Sequence, residues 1–200
     1  LNTISANAIS VSWNLPVLVS QNHLTNVAQN GIIYGQNTTV SQNDLANICS
    51  TSSTDCAAIK NDLSIPGATF TAVVSWNTIS GVGSGISGDA NYGILVDTIV
   101  GTDISANTII NAEKALQLRD TNGVNISGNT FLTSRVESVS AIQTNPATTF
   151  SNTFSNNTFL QKNPDYPYIE MRDEVDGSDV AETFLTANGN TIYPNYKPNT

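Results

Sequence analysis

The sequence predicts an all-β protein in which short parallel strands coil into a solenoid, a parallel β-helix. Three observations predict this fold. β-branched residues, which favour strands, dominate the chain. A six-residue motif with Ser and Asn in fixed places recurs, and a second short apolar pattern separates its copies. One such unit cannot bury its own apolar face, so the units must stack.

The composition excludes several other classes of protein. Of 200 residues, 16 are acidic and 7 are basic; the net charge of -9 argues against a nucleic-acid binder. Hydrophobic residues make up 39% of the chain, too many for a disordered segment. No apolar run approaches the roughly 20 residues of a membrane helix, so we expect no membrane insertion. One His and two Cys exclude a zinc cluster built from those ligands.

The six-residue motif reads apolar, Ser, any residue, Asn, any residue, apolar. Its copies lie at 4–9, 19–24, 40–45, 74–79, 104–109, 126–131 and 154–159, with a degenerate eighth at 187–192. We expect both apolar positions to point inward as ladders. The Asn belongs at a turn, because it tolerates left-handed backbone and its amide can bond to the Asn of the next coil. A further match at 11–15 leaves the register of the first 16 residues open.

The second pattern, mostly a small residue followed by Ile or Leu, supplies the other strand of each coil. It occurs at 31–34, 58–61, 93–96, 115–118, 141–144 and 168–171. Together the two patterns predict about seven to eight coils in a single domain over residues 1–200, with 160–200 as an irregular C-terminal coil or cap. Because solenoids need capped ends and the first coil shows no cap, we expect the chain to be part of a longer one.

The runs "NISGNTF" and "DISANTI", each paired with a strand of the second pattern, carry a family resemblance. They resemble the right-handed parallel β-helix repeat of the pectin-lyase-like superfamily, and the resemblance covers nearly the whole chain. It implies a right-handed β-helix that is extracellular, on the cell surface or periplasmic, and it implies polysaccharide as the partner. The catalytic motifs of polygalacturonases, pectate lyases and mannuronan epimerases are absent from the sequence, so no catalytic residue can be carried over.

Aligning the strands of the second pattern places most mid-chain charges on one outer face. The candidate catalytic residues are two carboxylates and two cations: Asp62, Asp97, Lys60 and Arg119. Paired carboxylates suit glycoside hydrolysis, and a cation beside a sugar carboxylate supports the proton abstraction of a lyase. The candidate substrate-binding residues on this face are Gln117, Asp120, Gln143, Glu170, Arg172 and Asp173. The alternative is an exposed row of weak surface ion pairs.

Two smaller predictions concern cysteines and calcium. Cys49 and Cys56 enclose a short polar loop, and a disulfide between them fits an oxidising compartment. The acidic loop with Asp173, Asp176 and Asp179 is a weak candidate for Ca²⁺, with a solvated loop as the alternative. We expect no other cofactor.

The leading functional hypothesis is a secreted or surface β-helix that binds polysaccharide and cleaves it as a lyase or hydrolase, if it is an enzyme. The alternative is a non-catalytic structural or adhesive segment of a surface protein, spike or filament. In either case a second copy or a flanking domain should cover the open N-terminal coil. Trp76 precedes a motif Asn, where it either packs at an edge or stacks on sugar.

Overall fold

A computed structural model places most of the residues that it describes in β-strands. It describes residues 7–11, 16–51, 55–62, 71–83, 91–98, 101–132, 134, 136, 138–144, 151–160, 167–173 and 185–193. The strands are β1 Ile9–Ser10, β2 Val17–Ser20, β3 His23–Val27, β4 Ile32–Tyr34, β5 Thr38–Ser41, β6 Asp44–Ile48, β7 Cys56–Asn61, β8 Val73–Ser75, β9 Thr78–Val82, β10 Asn91–Asp97, β11 Asp103–Ser105, β12 Thr108–Ala112, β13 Lys114–Arg119, β14 Asn125–Ser127, β15 Thr130–Leu132, β16 Val139–Gln143, β17 Asn152–Ser155, β18 Thr158–Leu160, β19 Ile169–Asp173, β20 Leu185–Asn188 and β21 Thr191–Tyr193.

These strands form three parallel sheets, each seven-stranded within the described residues. Sheet 1 is β1-β4-β7-β10-β13-β16-β19, sheet 2 is β2-β5-β8-β11-β14-β17-β20, and sheet 3 is β3-β6-β9-β12-β15-β18-β21. Every third strand along the chain returns to the same sheet, so seven coils stack as a parallel β-helix. The predicted fold class is confirmed. Over the same described ranges, no helix is long and apolar enough to cross a membrane.

Each coil has three strands rather than the two that the sequence predicts, because the Asn motif folds as a corner. Its first half ends a strand of sheet 2, and its second half begins a strand of sheet 3, as Ser41 and Asp44 show. The residue before the Asn has a positive φ in all seven coils. These residues are Gln21, Gln42, Trp76, Ala106, Gly128, Asn156 and Gly189. The prediction that the Asn itself takes left-handed backbone is therefore wrong.

The other predicted role of the motif Asn, bonding between coils, is confirmed. The backbone N–H and the side-chain Nδ2 of Asn77 both donate to Oδ1 of Asn107, at 3.0 and 2.9 Å. Asn107 donates in the same way to Asn129, and Nδ2 of Asn107 also donates to the Val74 carbonyl at 2.8 Å. The ladder runs through Asn22, Asn43, Asn77, Asn107, Asn129, Asn157 and Asn190. The ladder gives hydrogen-bond partners to buried polar groups at the corner that would otherwise have none.

The predicted apolar ladders form the core. In sheet 2, Ile104 pairs in register with Val74 and Ile126; in sheet 3, Ile109 pairs with Ile79 and Phe131. The first copy of the motif is an exception, because Ile9 lies in sheet 1 and pairs with Ile32. Residues 8–10 match the small-then-apolar pattern as well as the Asn motif, and the structure follows the former. Ile4 lies outside the described residues.

A row of small residues lines sheet 1 because the neighbouring coils are close. A Cβ on Gly93 would lie 2.6 Å from the Ala115 carbonyl oxygen and 2.7 Å from Ile109.

The predicted register is wrong at β16, where Leu116 pairs with Val139 instead of Ile142. Ser140, not Gln143, therefore lies beside Gln117. β19, β20 and β21 extend the three sheets into residues 160–200.

Candidate functional site

The predicted catalytic residues lie at adjacent strands of sheet 1, and the structure brings several of them together. Asp97 pairs in register with Arg119 across β10 and β13. Lys60 pairs with Leu95 across β7 and β10, and Asp62 directly follows β7. The strand alignment made from sequence is correct at these three coils. The longest insertions between the Asn motif and the strands of sheet 1, at 46–57, 80–92, 132–140 and 160–167, lie partly outside the described residues.

Arg119 is at the centre of an ion-pair cluster. Its Nη1 lies 3.0 Å from Oδ2 of Asp97, and its Nη2 lies 3.0 Å from Oδ1 of Asp55. The other oxygen of Asp97 accepts the Thr98 hydroxyl at 2.8 Å, and Asp97 is only 6% exposed. Both oxygens of this carboxylate are thus engaged by the protein. The cluster joins the start of β7 to the ends of β10 and β13.

The protonation states follow from burial and from these neighbours. Burial alone would lower the pKa of Arg119, but the hydrogen bond to Asp55 and the charge of Asp97 raise it above its usual value. Arg119 is therefore always charged. Burial, with the nearby charge of Asp55, raises the pKa of Tyr92 to about 12, so this phenol is neutral at physiological pH.

Asp55 and Tyr92 belong to this cluster and are not identified from the sequence. Asp55 lies next to Cys56, and the predicted disulfide between Cys49 and Cys56 is present. The disulfide joins the chain just after β6 to the first residue of β7. Both cysteines are buried. The sequence did carry a signal for Asp55, because this residue directly precedes a cysteine of the predicted disulfide at the start of a strand.

The predicted substrate-binding residues are in different environments. Gln117 is fully buried; its Nε2 donates to the Leu118 and Ser140 carbonyls, and its Oε1 has no partner among the described residues. Asp120 accepts the Thr144 backbone N–H at 2.6 Å and also the Thr144 hydroxyl. Glu170 is half-buried and pairs in register with Ser140.

The remaining predicted site residues are only partly described. In the backbone register of β16 and β19, Gln143 pairs with Asp173, and Arg172 pairs with Ile142. Asp176 and Asp179 lie outside the described residues, so the Ca²⁺ hypothesis stays a prediction. Within the described ranges, no group of three His, Cys, Asp or Glu side chains could hold a metal ion. The catalytic and substrate-binding roles also stay predictions.

A second surface, the corner between sheets 2 and 3, carries an exposed aromatic side chain. Trp76 is 68% exposed and has a φ of 59°. The same position in neighbouring coils is occupied by Gln42 on one side and Ala106 on the other. The sequence offered a signal here, since the other described coils have Gln, Ala, Gly or Asn before the motif Asn.

A comparison with protein families gives one match that spans most of the chain. The family model of NosD, described as a periplasmic copper-binding protein, matches residues 2–166. The chain belongs to the NosD family. This agrees with the resemblance to right-handed β-helix repeat proteins. No curated protein matches the chain.

The NosD family description bears on the compartment of this protein. A periplasmic family and a disulfide are both consistent with the predicted extracytoplasmic setting.

The copper in the NosD description can be tested against the donors of this chain. Copper sites use imidazole, thiolate and thioether ligands. Both cysteines are in the disulfide, and the single His, His23, has its Nδ1 2.9 Å from Asp44. The single Met, Met171, is in β19, at the opposite end of the stack of coils from His23 in β3. The soft donors of this NosD family member do not fit a copper centre.

Proposed function

We propose that this NosD family member is a carbohydrate-binding β-helix that holds polysaccharide without cleaving it. The single observation that carries the proposal is Trp76, an exposed aromatic side chain on a left-handed corner. The binding surface in this proposal is the corner between sheets 2 and 3, and not the ion-pair cluster of sheet 1.

Neither backbone preference nor packing explains a Trp at this corner. A bulky residue at positive φ is an outlier, and the left-handed region costs about 1–2 kcal/mol for residues other than Gly. The indole does not offset that cost by burial, because it is two-thirds exposed. A flat indole face, however, is a surface on which the apolar C–H face of a sugar ring can stack, and its N–H remains available as a donor.

The ion-pair cluster of sheet 1 supports binding without cleavage. A general base or a nucleophile must reach its substrate with a free carboxylate oxygen. Both oxygens of Asp97 are engaged, by Arg119 and by Thr98. Arg119 is itself shared between Asp97 and Asp55. The ion pairs of Arg119 with these two carboxylates hold neighbouring coils together.

The test is glycan binding by the purified chain and by Trp76→Gln. Gln is a fold-compatible replacement, because Gln21 and Gln42 hold the same left-handed position in other coils. We expect Trp76→Gln to weaken binding by about tenfold or more, which corresponds to about 1.4 kcal/mol. Leu18→Ala is the matched control, because Leu18 is similarly exposed, at 66%, on the outer face of sheet 2. It should bind within about twofold of wild type.

Cleavage is assayed on the same glycans by new reducing ends and by unsaturated products. We expect neither to form. Product formation would contradict binding without cleavage. It would make the face of sheet 1 that carries Asp97 the candidate catalytic site. A chain that binds no glycan at all would overturn the whole proposal and favour the structural or adhesive alternative.

A further inference from the structure

Resting on that proposed function, we infer that the polysaccharide is neutral and runs parallel to the β-helix axis, from Trp76 over Ala106 and Gly128. Three features of the corner carry this inference: its side chains on either side of Trp76, the hydroxyl rows that flank it, and the distribution of charge.

The corner is filled on one side of Trp76 and open on the other. Towards the N-terminus, Gln42 occupies the next position, and its Oε1 accepts a hydrogen bond from Nε2 of Gln21 at 3.2 Å. Towards the C-terminus, the next two positions are Ala106 and Gly128. A Cβ on Gly128 would meet no atom within 4 Å, so the space over it is open. A sugar chain that stacks on Trp76 therefore meets small side chains and open space towards the C-terminal coils, and projecting Gln side chains towards the N-terminus.

Hydroxyl rows flank this open stretch on both sides. In sheet 2, Ser75, Ser105, Ser127 and Ser155 are in register, one per coil. In sheet 3, Thr78, Thr108, Thr130 and Thr158 are in register in the same coils. Each alternates with an inward ladder residue; Ser75 is buried, and the other seven are half-buried or exposed. Coils repeat every 4.8 Å or so, close to the length of one sugar unit along a chain, so successive sugars would meet the same pair of hydroxyl rows.

The charges near this corner oppose an acidic polymer. The described lysines and arginines, namely Lys60, Lys114, Arg119 and Arg172, all lie in strands of sheet 1. The exposed charges beside the corner are carboxylates, Asp44 in β6 and Asp103 in β11. The one imidazole on sheet 3, His23, is hydrogen-bonded to Asp44. A polymer of uronic acids would meet repulsion here without a counter-charge, whereas a neutral polymer needs only hydroxyl partners and the indole face.

The test uses Ala106→Gln and Gly128→Gln, which fill the open stretch with the residue that the fold accepts at Gln21 and Gln42. Binding of cellohexaose, mannohexaose, xylohexaose and hexagalacturonate is measured by titration calorimetry, with melting curves as the check on folding. We expect each variant to lose about tenfold or more in affinity for the best neutral hexasaccharide. Gln21→Ala, on the filled side of Trp76, is the control and should stay within about twofold of wild type.

The outcomes separate this inference from the function on which it rests. If Trp76→Gln weakens binding while Ala106→Gln and Gly128→Gln bind like wild type, the direction of the glycan is wrong and carbohydrate binding stands. If hexagalacturonate binds more tightly than every neutral hexasaccharide, the neutral class is wrong. If wild type binds none of the four, both this inference and the proposed function fail.

Discussion

Tyr92 shows how the environment of one residue sets its chemistry. Its side chain is on the outer face of sheet 1 but is almost completely buried, beside Ala57 and Leu95. Burial, with the charge of Asp55 as a smaller cause, raises the pKa of Tyr92 to about 12. The folded state therefore retains the phenol proton at a pH at which the unfolded chain has lost it.

This retention predicts a specific dependence of stability on alkaline pH. Above pH 10 the unfolded chain ionises at Tyr92 while the folded protein does not, so the free energy of unfolding falls as pH rises from about 10 to about 12. At pH 11 the contribution of this one group is a loss of about 1.4 kcal/mol. Urea unfolding of wild type and Tyr92→Phe at pH 8 and pH 11 measures it. Tyr34, whose pKa burial also raises, is present in both proteins and so cancels in the comparison. An equal loss in both proteins would contradict the assignment.

Single residues could be predicted from sequence where the contact is local or follows the repeat. The pairing of Cys49 with Cys56 is local, and the proximity of Asp97 to Arg119 follows from strand alignment. The contact between Asp55 and Arg119 could not be predicted, because it joins residues 64 apart through a loop outside the repeat. The sequence shows that Trp76 departs from the Gln, Ala, Gly or Asn of the other described coils, but it does not show which residue of the corner points outward.

At the scale of the secondary-structure element, the Asn ladder holds the corner together. Asn107 is buried, receives two hydrogen bonds from Asn77, and donates to Asn129 and to the Val74 carbonyl. Its loss would leave the buried backbone N–H of Asn77 without its acceptor and would remove the hydrogen bonds that Nδ2 of Asn107 donates to Asn129 and to the Val74 carbonyl.

We therefore predict that Asn107→Ala destabilises the fold by about 2 kcal/mol or more, since an orphaned buried N–H costs about 1–3 kcal/mol and each further hydrogen bond lost costs about 0.5–1.5 kcal/mol. Asn125→Ala is the control, because Asn125 is exposed and accepts one hydrogen bond, from Thr153. Asn125→Ala should lower the free energy of unfolding by less than about 1 kcal/mol. Denaturant unfolding measures both variants. Similar losses in the two would show that the ladder contributes no more than a surface hydrogen bond.

The repeat predicted the ladders and the number of coils, but not how each coil is divided into strands. A single straight strand would place the two apolar positions of the motif on opposite faces, because they are five residues apart, as in Ile104 and Ile109. The structure bends the motif at the residue before the Asn, and this odd spacing is the mark that the bend leaves in the sequence. At β16, residues 138–139 and 141–142 both match the small-then-apolar pattern, so the pattern alone could not choose the register that Leu116 adopts with Val139.

At the scale of the whole molecule, the faces of the β-helix differ in charge. The described lysines and arginines lie on sheet 1, where Arg119 is neutralised by two carboxylates. The corner between sheets 2 and 3 presents Ser, Thr and small side chains around one exposed indole. The low charge of the chain follows from the fold, since like charges stacked in register on successive coils repel.

Membership of the NosD family establishes the architecture more firmly than the ligand. The family description names copper, but the His, Cys and Met residues of this chain are separated or already bonded. A fold by itself does not determine the function of its surface. We propose that the binding surface of this protein is the Trp76 corner.

The most direct measurement is a titration of the best-binding neutral hexasaccharide into wild type, Trp76→Gln and Asp97→Asn, at a temperature at which all three are folded. Asp97→Asn keeps the shape of the side chain and removes the carboxylate of the ion-pair cluster. The account predicts a loss of about tenfold or more for Trp76→Gln and an affinity within about twofold of wild type for Asp97→Asn. Wild-type affinity in Trp76→Gln, together with a large loss in Asp97→Asn, would contradict it and place the site on sheet 1.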